Sequence, residues 1–277
     1  MIAKPSHVDP TDGLPVLEVG PWTPEKHDYL RRYITATKAV RERFLPPVGP
    51  GRAAFIDLFA GPGRAQVRRR KEIIDGSPLI AARHSDAPFT DILLCELDPA
   101  NAAALKRRLE GDARVQVFEG DCNDEIDRLA AVIPPHGLNL ALIDPFGITP
   151  LHFETLAKLA RFERMDILLH FPTGDMTRNL HQYETQITRF LGTDAWRKRV
   201  TRPRDVPTLI DVLGEQLEQF GYRKADVRSV PFHDQPVLKN TRNVQLYHLV
   251  LATKHERGEK IWRSVIRIDG SGQKRLW

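Results

Sequence analysis

The amino-acid sequence is poor in cysteine and has no long apolar run. Only two of its 277 residues are cysteine, Cys95 and Cys122. Two thiols are too few for a zinc site, and both lie in apolar or turn contexts that need no disulfide, so we expect reduced, structural thiols and no metal site. No stretch approaches the ~18 to 20 apolar residues of a membrane span, and the first residues lack the apolar centre of a signal peptide. A cytoplasmic globular protein with no membrane partner is therefore expected.

Positive charge is in modest excess and is concentrated in two places. The chain has 41 Lys and Arg residues against 36 Asp and Glu, which gives a formal net charge of +5. A single charge run is typical of a solvated face, but two basic clusters around one predicted site favour a phosphate-rich substrate. The residues predicted to bind that substrate are Arg68, Arg69, Arg70 and Lys71 in the first cluster, and Arg197, Lys198 and Arg199 in the second.

From residue 54 onward, short apolar runs alternate with helical patterns. The runs cover residues 54–58, 92–95, 115–118, 138–143 and 167–171. This alternation predicts an α/β fold, in which a mostly parallel, doubly wound sheet carries helices on both faces. In such sheets the ligand binds at the carboxyl ends of the strands. Residues that directly follow the apolar runs are therefore the first candidates for a functional site.

Further segments are predicted before and after this pattern. Residues 1–50 are interpreted as an N-terminal unit, with a poorly ordered arm over 1–20 and a cover helix that Thr23 caps and that ends near Phe44. The main domain takes residues 51–277, and its polar and aromatic stretch at about 174–206 is interpreted as a cap inserted over the site. The remaining elements predicted are a helix over 207–220, strands over 225–232 and 244–253, and a helix over 259–266.

The first apolar run leads into the segment DLFAGPGR. An acid at the strand end is followed by glycines, which suit a backbone that turns sharply and comes close to a ligand. Pro62 and the acid argue against a dinucleotide loop, since that loop opens a helix whose N-terminus takes a pyrophosphate. A ligand that is cationic at this point suits the acid, and S-adenosylmethionine has this polarity. The residues predicted to bind it are Asp57, Phe59, Gly61 and Gly63.

Two further acids follow the next two apolar runs. Glu96 ends the second run, where a carboxylate accepts hydrogen bonds from ribose hydroxyls, and Asp121 with Cys122 follows the third, where Asp121 would accept from an adenine amino group. Glu96 lies thirty-nine residues after Asp57 rather than the usual ~20, and the basic stretch 64–77 is interpreted as an insertion. One such acid is equally typical of a turn or a helix cap, whereas three at successive strand ends favour a cofactor site.

The fourth run ends in Asp144-Pro145-Phe146-Gly147, which resembles the Asp/Asn-Pro-Pro-aromatic motif of methyltransferases that act on exocyclic base amines. Such an amine is a weak nucleophile because its lone pair is delocalised into the ring. Hydrogen bonds to the Asp144 carboxylate and the Pro145 carbonyl would restore nucleophilicity, and Phe146 would stack on the base. Without a second proline, the stretch is also typical of a simple turn. Methylation of a cytosine carbon is disfavoured, since it needs a cysteine nucleophile here.

Four stretches together resemble the three-Cys-motif partner protein family. They are WTPEKH at 22–27, FIDLFAGPG at 55–63, DGSP at 75–78 and IDPFG at 143–147. The resemblance covers most of the chain and is strongest before Pro172. It implies a class I S-adenosylmethionine-dependent methyltransferase, with a Rossmann-like sheet of seven strands, one of them antiparallel. The family name implies a companion protein with three clustered cysteines, of iron–sulfur or radical-SAM-like type, and this chain itself has no such cluster.

Three functions are compatible with these patterns. The leading hypothesis is methyl transfer to a base amine of tRNA or DNA, with Asp144, Pro145 and Phe146 as the catalytic residues. The second is a non-catalytic accessory module that binds nucleic acid or the companion protein. The third is a methyltransferase for a protein or small molecule, which would show no salt-dependent binding of nucleic acid. His152 and His170, near the predicted site, are interpreted as structural.

Overall fold

The structure is a computed structural model that describes residues 7–68, 70–84, 86–222, 237–240 and 244–267. Arg69 of the first basic cluster and the strand predicted over 225–232 lie outside the described residues. The strands within these ranges are β1 His7–Val8, β2 Pro15–Val19, β3 Ala53–Asp57, β4 Arg64–Val67, β5 Ile73–Asp75, β6 Asp91–Glu96, β7 Val115–Glu119, β8 Leu138–Ile143, β9 Met165–Phe171, β10 Val237–Lys239 and β11 Gln245–Ala252.

Helices connect most of these strands. The α-helices are α1 Thr23–Ala36, α2 Lys38–Phe44, α3 Ser77–Arg83, α4 Pro99–Arg108, α5 Cys122–Ala130, α6 Phe153–Ala160, α7 Thr173–Asn179, α8 Glu184–Leu191, α9 Leu209–Glu218 and α10 Glu256–Ile266. Two short 3-10 helices cover Ala195–Lys198 and Pro203–Thr208. No helix in the described ranges has both the length and the apolar character needed to cross a membrane.

Seven strands form the central sheet, in the order β10-β11-β9-β8-β3-β6-β7. The five from β9 to β7 in this order run parallel, and β11 is antiparallel to both of its neighbours. The chain leaves β3 toward one edge and returns at β8 toward the other, which makes the β3/β8 boundary the switch point where open α/β sheets bind ligands. The predicted doubly wound, Rossmann-like sheet, with seven strands and one antiparallel, is confirmed.

Apolar side chains cover both faces of the sheet. Every residue of β3 is buried, and successive residues belong to different cores because strand side chains alternate in direction. Ala54 and Ile56 pack in the core that contains α5, α6, α8 and α9, whereas Ala53 and Phe55 pack in the core that contains α1, α3 and α10. Strands buried on both faces form continuous apolar runs, and for this reason the strands of this sheet can be predicted from the sequence.

The N-terminal arm is ordered over its described part, so the prediction of a poorly ordered arm is wrong there. β1 and β2 join β4 and β5 in a separate four-stranded sheet. Leu17 of β2 pairs with Ala65 of β4, and the buried carboxylate of Asp9 accepts a hydrogen bond of 2.8 Å from Arg64. The stretch interpreted as an insertion after residue 63 therefore supplies the partner strands of the arm. Pairing between segments some fifty residues apart leaves no local pattern in either segment.

The predicted cover helix is present, but it is divided. α1 ends at Ala36 and α2 starts at Lys38, and the hydroxyl of Thr37 donates a hydrogen bond of 2.8 Å to the carbonyl of Tyr33 at the break. Such a bond from Thr to the preceding turn competes with regular helix geometry. Thr23 is the first residue of the helix rather than its cap, a position that Trp22 takes.

The segment at about 174–206, interpreted as a cap insertion, is largely helical. It contains most of α7, all of α8 and the 3-10 helix at Ala195–Lys198. Its large apolar side chains, among them Met176, Phe190 and Trp196, are buried in the same core as α5 and α6. Much of the segment therefore packs on one face of the sheet. α7 also reaches the candidate site, through the contact of Asp175 described below.

Candidate active site

Asp57 and Glu96 hold the glycine loop after β3 in place through hydrogen bonds to its backbone amides. Asp57 is completely buried, and its Oδ1 accepts a hydrogen bond of 3.0 Å from the Phe59 amide. Glu96, at the end of β6, accepts one of 2.7 Å from the Gly61 amide. Gly61 and Gly63 have φ angles of +63° and +89°, which side-chain-bearing residues rarely adopt. The predicted turn is therefore present, and its shape requires these two glycines.

Asp57 has unusual electrostatics for a carboxylate. Burial raises its pKa from 3.8 to about 7, and hydrogen bonds from Ser77 and Phe59 only partly oppose this effect. Apart from Ser77, no described residue offers a hydrogen-bond donor to its buried Oδ2. Burying a carboxylate oxygen with so few donors costs free energy. A cation bound next to Oδ2 would remove this cost and favour the ionised form.

Glu96 links the ends of two neighbouring strands. Besides the Gly61 amide, it accepts a hydrogen bond of 2.9 Å from the Asp98 amide. Burial raises the pKa of Glu96, and the two amides act in the opposite direction. The next residue, Leu97, is 49% exposed although it is large and apolar. Exposed apolar surface beside a strand-end acid is suited to the flat face of a nucleoside base, and the sequence analysis missed Leu97.

Asp121 starts α5 as its N-cap. Its Oδ1 accepts hydrogen bonds of 2.8 Å from the Asn123 amide and 2.7 Å from the Asn123 side chain. The cap interpretation of this acid is therefore correct for one oxygen, while the residue still lines the cleft described next. Cys122 is buried and free, as is Cys95, and burial raises the pKa of both thiols, that of Cys95 to about 12. Neither cysteine is a reactive thiolate.

These strand ends enclose a cleft of about 110 Å³. Its polar side is formed by Glu96 and Asp121, and Asn101 is a further polar residue there that the sequence analysis missed. Its apolar walls include Leu97 and Phe146, and Phe146 is 60% exposed. The described lining residues are Leu17, Leu58, Phe59, Glu96, Leu97, Asn101, Gly120, Asp121, Cys122, Phe146 and Pro150. Of the predicted cofactor residues, Phe59, Glu96, Asp121 and Cys122 line the cleft, whereas Asp57, Gly61 and Gly63 do not. The N-terminal arm adds Leu17 to the lining.

Asp144, at the end of β8, lies between two basic side chains. Its Oδ2 contacts the ammonium of Lys26 in α1, and its Oδ1 contacts Nδ1 of His170 in β9. Burial by itself would raise the pKa of Asp144, but His170 and Lys26 outweigh burial and hold the pKa well below its usual range. Asp144 is therefore an anion at neutral pH. The side chains of Lys26 and Asp144 keep 14% and 24% exposure, so an acceptor can approach the pair.

His170 is fully buried beside this anion. Burial lowers its pKa, and only Asp144 opposes the effect, so the ring is neutral at pH 7 and donates from Nδ1 to Asp144. Its Nε2 is buried without a hydrogen-bond partner in the described chain, and the ring of Tyr247 lies 6.5 Å away. The sequence analysis set His170 aside as structural and did not consider Lys26. The only signal for Lys26 was its place in the WTPEKH stretch.

The loop that follows Asp144 is fixed from α7. The Ile148 amide donates a hydrogen bond of 3.1 Å to Asp175 Oδ2. A Cβ atom on Gly147 would lie 2.8 Å from the same oxygen, so a side chain there would disturb the contact between Asp175 and this loop. Pro145 is buried, whereas Phe146 faces solvent at the rim of the cleft. This places the predicted catalytic stretch next to the predicted cofactor residues.

Several arginines of the two basic clusters form ion pairs with neighbouring acids. Arg68 pairs with Glu18 at 2.6 Å, Arg197 with Glu184 at 3.2 Å and Arg199 with Glu215 at 2.9 Å. Exposed pairs of this kind add little stability, but each acid lowers the local positive charge. Arg70, Lys71 and Lys198 have no ion pair among the described residues. None of the contacts described for these clusters involves the cleft, so substrate binding by them stays a prediction.

Within the described ranges, no group of three or more His, Cys, Asp or Glu side chains is arranged to hold a metal ion. The chain matches no protein-family model and no curated protein. Among solved structures it is similar to Trm1 from Pyrococcus horikoshii with S-adenosyl-L-methionine, at 13% identity over 86% of this chain and 58% of that chain, with a TM-score of 0.43.

Two further solved structures show similarity of the same degree. TYW2 from M. jannaschii in complex with AdoMet is 13% identical over 79% of this chain and 74% of that chain, with a TM-score of 0.36. Protein LPL1258 from Legionella pneumophila is 13% identical over 60% of this chain and 73% of that chain, with a TM-score of 0.39. At these identities, the function has to be argued from the geometry of the site.

Proposed function

We propose that this protein is a methyltransferase that uses S-adenosyl-L-methionine. The observation that carries the proposal is the meeting of the strand-end acids Glu96 and Asp121 with exposed apolar side chains around one cleft at the switch point of the sheet. Asp57 lies buried beneath the neighbouring loop, whose shape depends on the positive φ angles of Gly61 and Gly63, and none of these three residues lines the cleft itself. A ligand with positive charge and a nucleoside part matches this set, whereas a pyrophosphate would be repelled by the acids.

Residues of the cleft match the parts of this cofactor. Glu96 and Asp121 offer carboxylate oxygens to the ribose hydroxyls and the adenine amino group, and Leu97 offers an apolar surface to the purine ring. When bound, S-adenosylmethionine supplies an electrophilic methyl group. The protein contributes by positioning the acceptor and by orienting its amine toward the methyl group.

We further propose that the methyl acceptor is an exocyclic amine of a nucleic-acid base. Asp144 is held ionised and accepts a hydrogen bond from such an amine, while exposed Phe146 stacks on the base. Lys26 already contacts the Asp144 carboxylate, so the amine has to share this carboxylate with the ammonium or displace it. Lys26 is therefore part of the acceptor side of the proposed site.

The proposed partners rest on charge and on the family resemblance. Arg70, Lys71 and Lys198, which have no ion pair in the described chain, are the cations most available to phosphate groups of tRNA or DNA. The three-Cys-motif companion, of iron–sulfur or radical-SAM-like type, rests on the resemblance alone. Nucleic-acid binding predicts a steep dependence of affinity on salt, because phosphate contacts release counterions.

Cofactor binding by two matched variants tests the proposal. Glu96 and Glu119 end neighbouring strands and are paired in register, but Glu119 is exposed and pairs with Lys106 at 3.0 Å, away from the cleft. Calorimetric titration with S-adenosylmethionine should show binding to the wild type that E96Q weakens tenfold or more, as expected for a charged hydrogen bond worth ~1.5 to 3 kcal/mol. E119Q should bind as the wild type does. No binding to the wild type, or equal binding by the two variants, would contradict the cofactor assignment.

One observation favours a second candidate, a non-catalytic module with a methyltransferase fold. Asp144 is already engaged through both oxygens, by Lys26 and by His170. D144N separates the two functions, since Asn keeps the size of the side chain but loses its charge. For the enzyme, transfer of labelled methyl to bulk tRNA or DNA should disappear while cofactor binding is kept. An accessory module would show no such transfer in the wild type, together with unchanged nucleic-acid binding in D144N.

A further inference from the structure

A second cleft lies at the opposite end of the sheet from Asp144. It has a volume of about 620 Å³ and is bounded by the amino ends of β8 and β9, by α2 and by the start of α10. β8 has six residues, so its two ends are roughly 17 Å apart at ~3.3 Å per residue. The cleft is therefore separate from the proposed methyl-transfer site. Its volume falls in the range of ~300 to 1,000 Å³ that is typical of small-molecule sites.

Arg41, which lines this cleft, is a buried cation without a carboxylate partner among the described residues. Its side chain is 1% exposed, Nε donates to the Ala87 carbonyl at 2.9 Å, and Nη1 donates to the Thr37 hydroxyl at 2.6 Å. Its Nη2 is buried and has no hydrogen-bond partner. Arginine is almost never fully buried unless it is paired, because desolvating a guanidinium is costly. An anion in the cleft would supply the missing partner.

The acids that line the same cleft are already satisfied. Tyr33 donates a hydrogen bond of 2.7 Å to Asp166 Oδ2, and Glu163 pairs with Arg164 at 3.3 Å. Lys254 and Arg257 also line the cleft and, like Arg41, have no ion pair among the described residues, so the lining carries more positive than negative charge. This charge complementarity selects an anionic rather than a cationic ligand.

The remaining walls of the cleft are largely apolar. Val40, Phe44 and Ile261 line its accessible part and are half-buried, while Phe89 lies deeper and stacks under the Arg41 guanidinium at 4.9 Å. Such walls accept an aromatic or aliphatic body rather than a hydrated ion. We propose that this cleft binds a small apolar molecule that carries one anionic group, of carboxylate or sulfonate type, and that Arg41 is the partner of that group. The proposal is independent of the function proposed above.

Fluorescence titration of the full chain with anilinonaphthalene sulfonate tests this proposal, because the probe combines an aromatic body with one anionic group. We expect saturable binding of one probe per chain. Phenylnaphthylamine, its uncharged counterpart, should bind at least tenfold more weakly, since it cannot pair with Arg41. R41M should weaken binding of the sulfonate at least tenfold, and R43M, which removes an exposed charge from the same helix outside the cleft, should leave it unchanged.

V40W provides a second, independent variant that keeps Arg41 and fills the accessible part of the cleft. It should abolish probe binding, and circular dichroism melting should show that each variant is folded. If R41M fails to fold, V40W and the uncharged counterpart still decide the question. The proposal is overturned if the wild type shows no saturable binding, if the uncharged counterpart binds equally well, or if folded R41M or V40W binds as the wild type does.

Discussion

Lys26 in the first helix forms an ion pair with Asp144 at the end of β8, 118 residues further along the chain. The other oxygen of Asp144 contacts the buried ring of His170. Two of the stretches that carry the family resemblance, WTPEKH and IDPFG, therefore meet at one carboxylate. This contact explains why a helix outside the sheet and a strand end inside it both contribute recognisable residues.

Removing the Lys26 ammonium should destabilise the protein. K26M leaves Asp144 as a partly buried anion beside a neutral histidine, so the free energy of unfolding should fall by ~1 to 3 kcal/mol, between the values for exposed and buried pairs. K38M, which breaks only exposed pairs with Glu42 and Asp86, should leave the free energy of unfolding close to that of the wild type. Urea unfolding of K26M, D144N and the double variant measures the coupling. Additive effects would show that the pair contributes no stability.

Stability should depend on pH through Asp57. Its pKa is raised from 3.8 to about 7 in the folded chain, so between these values the folded state holds a proton that the unfolded state has lost. Stability from this group is therefore complete below pH ~4 and is lost as the pH rises to about 7, by roughly 4 kcal/mol at ~1.36 kcal/mol per pKa unit. The difference in unfolding free energy between wild type and D57N, followed from pH 4 to pH 8, should show this loss. A constant difference would mean that Asp57 does not titrate in this range.

Gly147 should not tolerate a side chain. In G147A, the new Cβ would lie 2.8 Å from Asp175 Oδ2, closer than real Cβ contacts, so either the Asp175 carboxylate moves and loses its hydrogen bond to the Ile148 amide or the loop after Asp144 moves. We expect a loss of methyl transfer of at least tenfold, with S-adenosylmethionine affinity within a factor of two of the wild type, because the displaced loop positions the acceptor. Single-turnover transfer of labelled methyl and calorimetric titration measure the two effects. Full activity in G147A would argue against a positioning role of this loop.

Arg70 and Lys71, the cations of the first cluster without an ion pair among the described residues, should govern how strongly nucleic-acid binding depends on salt. For binding to duplex DNA, a plot of the logarithm of the association constant against the logarithm of the salt concentration has a slope whose magnitude is ~0.9 per phosphate contact. R70Q/K71Q should reduce the magnitude of this slope by roughly 1 to 2. K260Q is a matched control, because Lys260 pairs with Glu256 on a distant exposed helix face. Fluorescence anisotropy with tRNA and with duplex DNA at several salt concentrations gives the slopes. An unchanged slope in R70Q/K71Q would place the nucleic-acid surface elsewhere.

The cofactor side of the site was largely predictable from the sequence. Asp57 and Glu96 end β3 and β6, Asp121 lies two residues after β7, and parallel strands bring their carboxyl ends to one edge of the sheet. The positions of these acids therefore follow from the strand pattern alone. Their exact roles do not, since Asp57 lies beneath the loop and Asp121 also caps a helix.

The acceptor side was not predictable to the same degree. A single histidine in an apolar strand is usually structural, and no local pattern in the cover helix marks Lys26 as a partner of a strand-end acid. The N-terminal arm looked unstructured because a short strand needs a partner strand, and its partner is β4. Each of these errors concerns a contact between residues that are distant in the chain.

The class of sheet, the acids at the strand ends and the glycine turn can be derived from the amino-acid order, because burial on both faces and backbone sterics leave local patterns. Three features depend on the three-dimensional arrangement: Lys26 and His170 share the carboxylate of Asp144, the N-terminal arm forms a second sheet, and Arg41 is buried beside a cleft without an acidic partner among the described residues. Electrostatic partners and strand neighbours depend on distance in space, which the order of residues does not encode locally.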